Sequence, residues 1–113
     1  PTSTKRNTAF LDVADYYFEN DAFSYSRKWY EKVDEMSISP PEQDKFNFNY
    51  GYSLYVTNNK NGADKYLNRV KEDGEYASQA KYYLGYMAYE GDDYDAANEY
   101  FEAVTKPDFL DSF

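Results

Sequence analysis

The 113-residue chain contains no cysteine and no histidine. The first absence excludes disulfides and thiolate chemistry and leaves the redox compartment open. The second removes the commonest general base and the commonest nitrogen ligand for metals. Glycine (5) and proline (4) are scarce, and the glycines stand singly, so no phosphate-cradling loop is present. No apolar run is long enough to span a membrane, and no charged leader followed by an apolar segment is visible. Basic residues are in deficit, 12 against 21 acidic. The resulting charge of −9 repels a nucleic-acid backbone or an anionic membrane surface, so neither is an expected partner.

What the chain has in excess is aromatic: 15 Tyr and 8 Phe, an aromatic fraction of 21%. A chain of this length forms one domain with a modest core, which cannot hide so many rings completely. Some are expected to sit part-exposed, where Tyr offers an apolar body and a polar tip.

The order of these residues is repetitive. A small residue, an aromatic or Leu, and a Val recur as Ser26–Tyr30–Val33, Ala63–Leu67–Val70 and Ala97–Phe101–Val104. The Val positions 33, 70 and 104 step by 37 and then 34, and the upstream small residues Ala14, Gly51 and Gly85 step identically. A period near 34 made of paired amphipathic segments predicts stacked helix–turn–helix units. In the third unit a helix over 78–90 is followed by the turn Gly91-Asp92-Asp93, where Gly tolerates positive φ and Asp caps the next helix. The next helix, from Tyr94 to Val104, carries Ala97, Phe101 and Val104 on one face.

The second unit is expected to be helical from about Asp44 to Val56 and from Ala63 to about Lys71. Read alone, the alternating Phe46, Phe48, Tyr50 and Tyr52 suggest a strand; the register of Gly51 and Ala63 with Gly85 and Ala97 favours helix. The first unit runs from about Asn7 to Glu19 and from Phe23 to about Glu35. Its three-residue excess falls at Ser37-Ile38-Ser39-Pro40-Pro41, where tandem Pro is expected to lengthen the connecting loop.

The Leu84-Gly85 pair, the turn ending at Tyr94, and Ala97 with Phe101 resemble a tetratricopeptide repeat (TPR). The resemblance extends over about residues 7–106 as repeats 7–36, 44–73 and 78–106. It implies an all-α fold, a right-handed α-solenoid of three repeats and about six antiparallel helices, forming a single domain over 1–113. The family's groove positions fall on Thr8, Leu11, Asp15, Phe18 and Glu19 in the first unit and on Lys45, Phe48, Tyr52, Tyr55 and Val56 in the second. In the third they fall on Gln79, Tyr82, Tyr86, Tyr89 and Glu90. The resemblance thus implies a partner-binding groove of Leu11, Phe18, Phe48, Tyr52, Tyr55, Tyr82, Tyr86 and Tyr89. The Lys, Arg and Asn that clamp acidic chaperone tails in some TPR domains are replaced here by Leu11, Asp15, Phe48, Tyr52 and Tyr82. The Tyr-rich phrasing is similar to that of long bacterial TPR proteins of the cell envelope, which implies an envelope or periplasmic location.

No catalytic or metal constellation emerges. Asp92, Asp93, Asp95 and Glu99 lack the Gly and Glu spacing of a calcium loop and read as helix capping. Ser24, Ser26 and Ser53 have no base beside them. Arg27-Lys28-Trp29-Tyr30-Glu31-Lys32 interleaves cations with rings in the manner of a base-stacking surface. On a helix, however, Trp29, Tyr30 and Val33 face the core while the cations are solvated. The expectation is a scaffold without enzyme activity, cofactor or metal, whose partner is a protein or peptide. Two alternatives stand beside it: an architectural segment that pairs through its end faces with more repeats or a second copy, and a carbohydrate-stacking surface. A start at Pro1 and an apolar ending at Phe109, Leu110 and Phe113 suggest a segment of a longer array.

Overall fold

The computed structural model describes residues 3–104. Among them it contains six α-helices and no strand: α1 (Thr4–Glu19), α2 (Phe23–Tyr30), α3 (Pro40–Val56), α4 (Lys60–Leu67), α5 (Ala77–Glu90) and α6 (Tyr94–Glu102). A short 3-10 turn, Glu35–Ser37, lies between α2 and α3. The apolar ending at Phe109 to Phe113 lies outside the described residues.

Packing is closest within α1/α2, α3/α4 and α5/α6, while α2 against α3, α4 against α5 and α1 against α3 join the pairs. Contacts at both ends show that each pair is an antiparallel hairpin; in α3/α4, Leu54 lies beside Gly62 at the turn end and Asp44 bonds the Lys71 N–H at the open end. Phe18 meets Phe23 at the turn end and Phe10 meets Trp29 at the open end. Tyr89 meets Tyr94 and Tyr82 meets Phe101 in the same sense. Glycine sets the approach of the helices. A Cβ on Gly51 would lie 2.9 Å from the Leu67 side chain, and one on Gly85 would lie 2.8 Å from the Phe101 ring.

Equivalent positions carry equivalent geometry. The three turns place Asp21, Asn58 and Asp92 at φ of 60°, 68° and 64°. Asx residues tolerate this left-handed region because a short polar side chain bonds locally. The positive φ expected at Gly91 therefore falls one residue later. Asn59 and Asp93 then cap the following helices, accepting from the N–H groups of Gly62 and Ala96. A second recurring device ties the open ends of the first two hairpins. The Asn7 amide donates to the Asp34 carbonyl at 3.0 Å and accepts from the Asp34 N–H at 2.6 Å. In the next hairpin Asp44 accepts from the Lys71 N–H at 2.8 Å.

Two kinds of boundary expectation are corrected. The tandem prolines open α3 at its first positions instead of lengthening a loop. Proline fits there because a helix's first N–H groups have no intrahelical acceptor anyway. The second helices are shorter than expected: α2 ends at Tyr30 and α4 spans Lys60–Leu67. Val33 and Val70 consequently pack from the segments after those helices, both still buried. The Phe46–Tyr52 stretch is helical. Its strand-like alternation arises because α3 is buried on several sides, with Phe46, Phe48, Asn49, Tyr50, Gly51, Ser53 and Leu54 all inside.

The interior is partly polar. Tyr30, fully buried, donates to Asp15 and accepts from the Asn49 amide at 3.1 Å. Ser53 donates to the Asn49 carbonyl, and its hydroxyl lies 2.8 Å from that of Ser26. Burial first, then the bond to Asp15, push the Tyr30 phenol far above its ordinary pKa of 10.0. This chain links α1, α2 and α3, and each buried polar atom within it is partnered.

Candidate partner-binding face

The first helices α1, α3 and α5 share a continuous band of rings. Phe18 of α1 meets Tyr52 of α3 edge-on at 6.0 Å, and Phe23 meets the same ring at 5.2 Å. Tyr52 reaches Tyr83 of α5 at 4.9 Å, and Tyr55 reaches Tyr83 at 5.6 Å. From Tyr83 the band runs along α5 through Tyr82, Tyr86 and Tyr89 to Tyr94 at the start of α6. At its other end Phe48 stacks on Tyr76, with centroids 5.2 Å apart and planes 16° from parallel.

Burial divides the residues expected to line a groove. Tyr86 and Tyr89 are 42% and 56% exposed, and Tyr94 beside them is 55% exposed. Phe18, Tyr52, Tyr55 and Tyr82 are half-buried, each presenting part of its ring. Leu11 and Phe48 do not belong to an open surface and are corrected to the core, at 5% and 6% exposure. Leu11 sits beside Asp15, Lys45 and Phe46, where α1 meets α3. Phe48 is covered by the Tyr76 ring in the segment before α5. Of the polar groove positions, Thr8, Glu19 and Glu90 are exposed, Asp15, Lys45 and Gln79 half-buried, and Val56 is 38% exposed.

Tyr83, Phe23, Tyr76 and Tyr94 join the band although no groove position predicts them. Tyr83 is the hinge of the arrangement, because its contacts with Tyr52 and Tyr55 carry the band from α3 into the α5 row. Its position lies 34 residues after Asn49, which is buried. That correspondence is the signal that the site faces a neighbouring helix.

The hydroxyls of Tyr55, Tyr76 and Tyr83 are held above the ordinary phenol value of 10.0. Partial burial, followed by the Glu90 charge, raises Tyr55 to about 12. Burial and the hydroxyl of Tyr52 raise Tyr83 further. Tyr76 is raised by burial and then by Glu75, with Lys45 opposing. These three tyrosines each add to an apolar ring a hydroxyl that can both donate and accept a hydrogen bond.

Two open concavities of about 530 and 580 Å³ lie elsewhere and share Arg27. Their other lining residues are mainly polar, including Lys28, Glu31, Asn58 and Lys60, and the Arg27 guanidinium already donates to Thr57 at 2.9 Å. A second exposed pair, Tyr16 and Tyr25, flanks the half-buried Tyr17 on α1 and α2, separate from the band. Among the described residues no group of three acidic side chains is placed to hold a metal ion. No helix among them is long and apolar enough to cross a membrane. Comparison with known proteins finds no matching family model, no similar curated protein and no similar solved structure.

Proposed function

We propose that the chain is a non-catalytic interaction scaffold, an α-solenoid of three TPR-like repeats whose first-helix face grips a peptide or helix of a partner protein. The repeat reading draws support from the recurring Asx turns, the paired Gly51/Leu67 and Gly85/Phe101 approaches, and the two hairpin ties. The binding reading rests above all on one observation. Tyr86 and Tyr89 stand in solvent at the edge of a ring band whose other members are half-buried. Large rings held by neighbouring rings lose little entropy on binding, the circumstance in which Tyr becomes a hot spot.

The test is a peptide-display selection against the whole chain, followed by binding of the recovered peptides to two variants. Tyr86→Ser/Tyr89→Ser is expected to weaken them by at least about tenfold, as loss of two hot-spot rings implies. Its melting temperature should stay close to that of the unaltered protein, because both rings are exposed. Tyr16→Ser/Tyr25→Ser is expected to bind normally. Recovery of no peptide, or loss only in the Tyr16/Tyr25 variant, contradicts the reading.

A second reading, packing against further repeats or a second copy, has an observation of its own. Phe101 and Val104 are half-buried, whereas their equivalents Tyr30, Leu67, Val33 and Val70 are buried. Light scattering at two concentrations separates the readings, since self-association rises with concentration and peptide docking does not require it.

A further inference from the structure

We propose that the segment this face accepts is basic: a peptide with Lys or Arg side chains that lie against the Tyr rings and the carboxylates around them. The inference rests on the binding reading above and specifies the partner's chemistry.

The cations near the band are already engaged. Lys45 lies 3.6 Å from Asp15, and Lys60 lies 3.4 Å from Glu90. What remains around the rings is acidic. Glu19, exposed, follows Phe18 at the end of α1; Glu75, exposed, precedes Tyr76; Asp92 accepts from the Tyr94 hydroxyl at 3.0 Å. The Tyr76 hydroxyl registers the same imbalance. Exposed Glu75 is the charged side chain with the largest effect on Tyr76. This local field has the sign of the whole chain, at −9, so it steers a cationic segment toward the face and repels an anionic one.

The rings favour the same ligand. The chain's own cations already use aromatic faces: Lys32 over Trp29, Arg69 and Lys65 over Tyr66, and Lys81 over Tyr100, at 5.0–5.7 Å from the centroids. None of those rings belongs to the band. Among the described residues no cation lies over Tyr86, Tyr89 or Tyr94, although these are exposed and each makes only tilted or edge contacts with its ring neighbours. A guanidinium or ammonium brought by a partner would find there a ring quadrupole, with the Asp92 carboxylate beside Tyr94.

The test uses three labelled peptides of equal length with one shared Leu pattern, bearing Arg, Gln or Glu at the intervening positions. Each is titrated by fluorescence anisotropy against the whole chain at low and raised salt. The Arg peptide is expected to bind at least about tenfold more tightly than the Gln peptide, with the difference shrinking as salt is added. Glu19→Gln/Glu75→Gln is expected to lower affinity for the Arg peptide by about two- to fivefold and to leave the Gln peptide unchanged. Tyr86→Ser/Tyr89→Ser should weaken the Arg peptide by about tenfold or more. Equal binding of Arg and Gln peptides that is lost in the Tyr variant overturns the charge inference while the binding face survives. Stronger binding of the Glu peptide also overturns it. Arg-peptide binding that ignores the Tyr variant reduces the effect to the chain's overall charge, and the inference fails. Failure of all three peptides, together with an empty display selection, removes the binding reading itself.

Discussion

Tyr30 shows how a single side chain can tie three helices and make stability depend on pH. Its hydroxyl is held between Asp15 of α1 and Asn49 of α3, and the side chain is fully buried. Tyr30, Tyr50 and Tyr55 all have phenols raised above the ordinary 10.0, Tyr50 and Tyr55 to about 12, with burial the leading cause. A phenol whose folded pKa exceeds its unfolded one stabilises the fold fully below pH 10 and loses that contribution as pH climbs through the folded value. Stability is therefore expected to fall steadily above pH 10, each such group adding a slope of at most about 1.4 kcal/mol per pH unit. Urea midpoints measured across alkaline pH, with tyrosinate absorbance followed alongside, check this. Tyr30→Phe is expected to cost about 1–3 kcal/mol at neutral pH, because the Asn49 amide is left unpartnered. It should also make the alkaline decline shallower; an unchanged decline would show that Tyr30 contributes nothing to it.

At the scale of the helices, the small residues and the prolines carry the architecture, and they were legible to different degrees. Gly51 with Ala63 and Gly85 with Ala97 were readable from spacing, since close helix approach tolerates no larger group there. The role of Pro40 and Pro41 was not, because tandem proline fits a helix's first turn as well as it fits a loop, and only packing decides. Phe48 and Leu11 were placed on a groove by the family resemblance, but a repeat position marks a face of a helix without saying what covers it. Here α1 and α3 meet over Leu11, and Tyr76 lies over Phe48. The two glycines separate packing from propensity. Alanine gains about 1 kcal/mol over glycine in a helix interior, whereas overpacking costs about 1–3 kcal/mol. At Gly51 the new methyl meets the fully buried Leu67 side chain at 2.9 Å and the Leu67 backbone nitrogen at 3.2 Å, so neither neighbour can move away cheaply. At Gly85 it meets only atoms of the Phe101 ring, a side chain that is half-buried where Leu67 is fully buried. Gly51→Ala is expected to lose about 1–2 kcal/mol and Gly85→Ala less than about 1 kcal/mol, measured by urea denaturation. Equal losses would refute this difference.

For the whole molecule, three antiparallel hairpins pack into a body of about 44 × 26 × 25 Å, elongated enough to present one side of α1, α3 and α5 as a common surface. The aromatic surplus divides between that surface and the core: Phe46 and Tyr50 fill the interior, and the row from Phe18 to Tyr89 lies at the boundary with solvent. Composition foretold that rings would be left part-exposed, and period assigned most of them to the first helices. Neither revealed Tyr83, whose ring joins α3 to α5 across helices 34 residues apart in register. The central claim is that partners dock on this band. The most direct measurement follows the tyrosine ring NMR signals of the intact chain as a bound peptide is titrated in. Signals of Tyr52, Tyr55, Tyr82, Tyr86 and Tyr89 are expected to shift together while those of Tyr16, Tyr25 and Tyr66 stay in place; shifts confined to Tyr16 and Tyr25 would contradict the account.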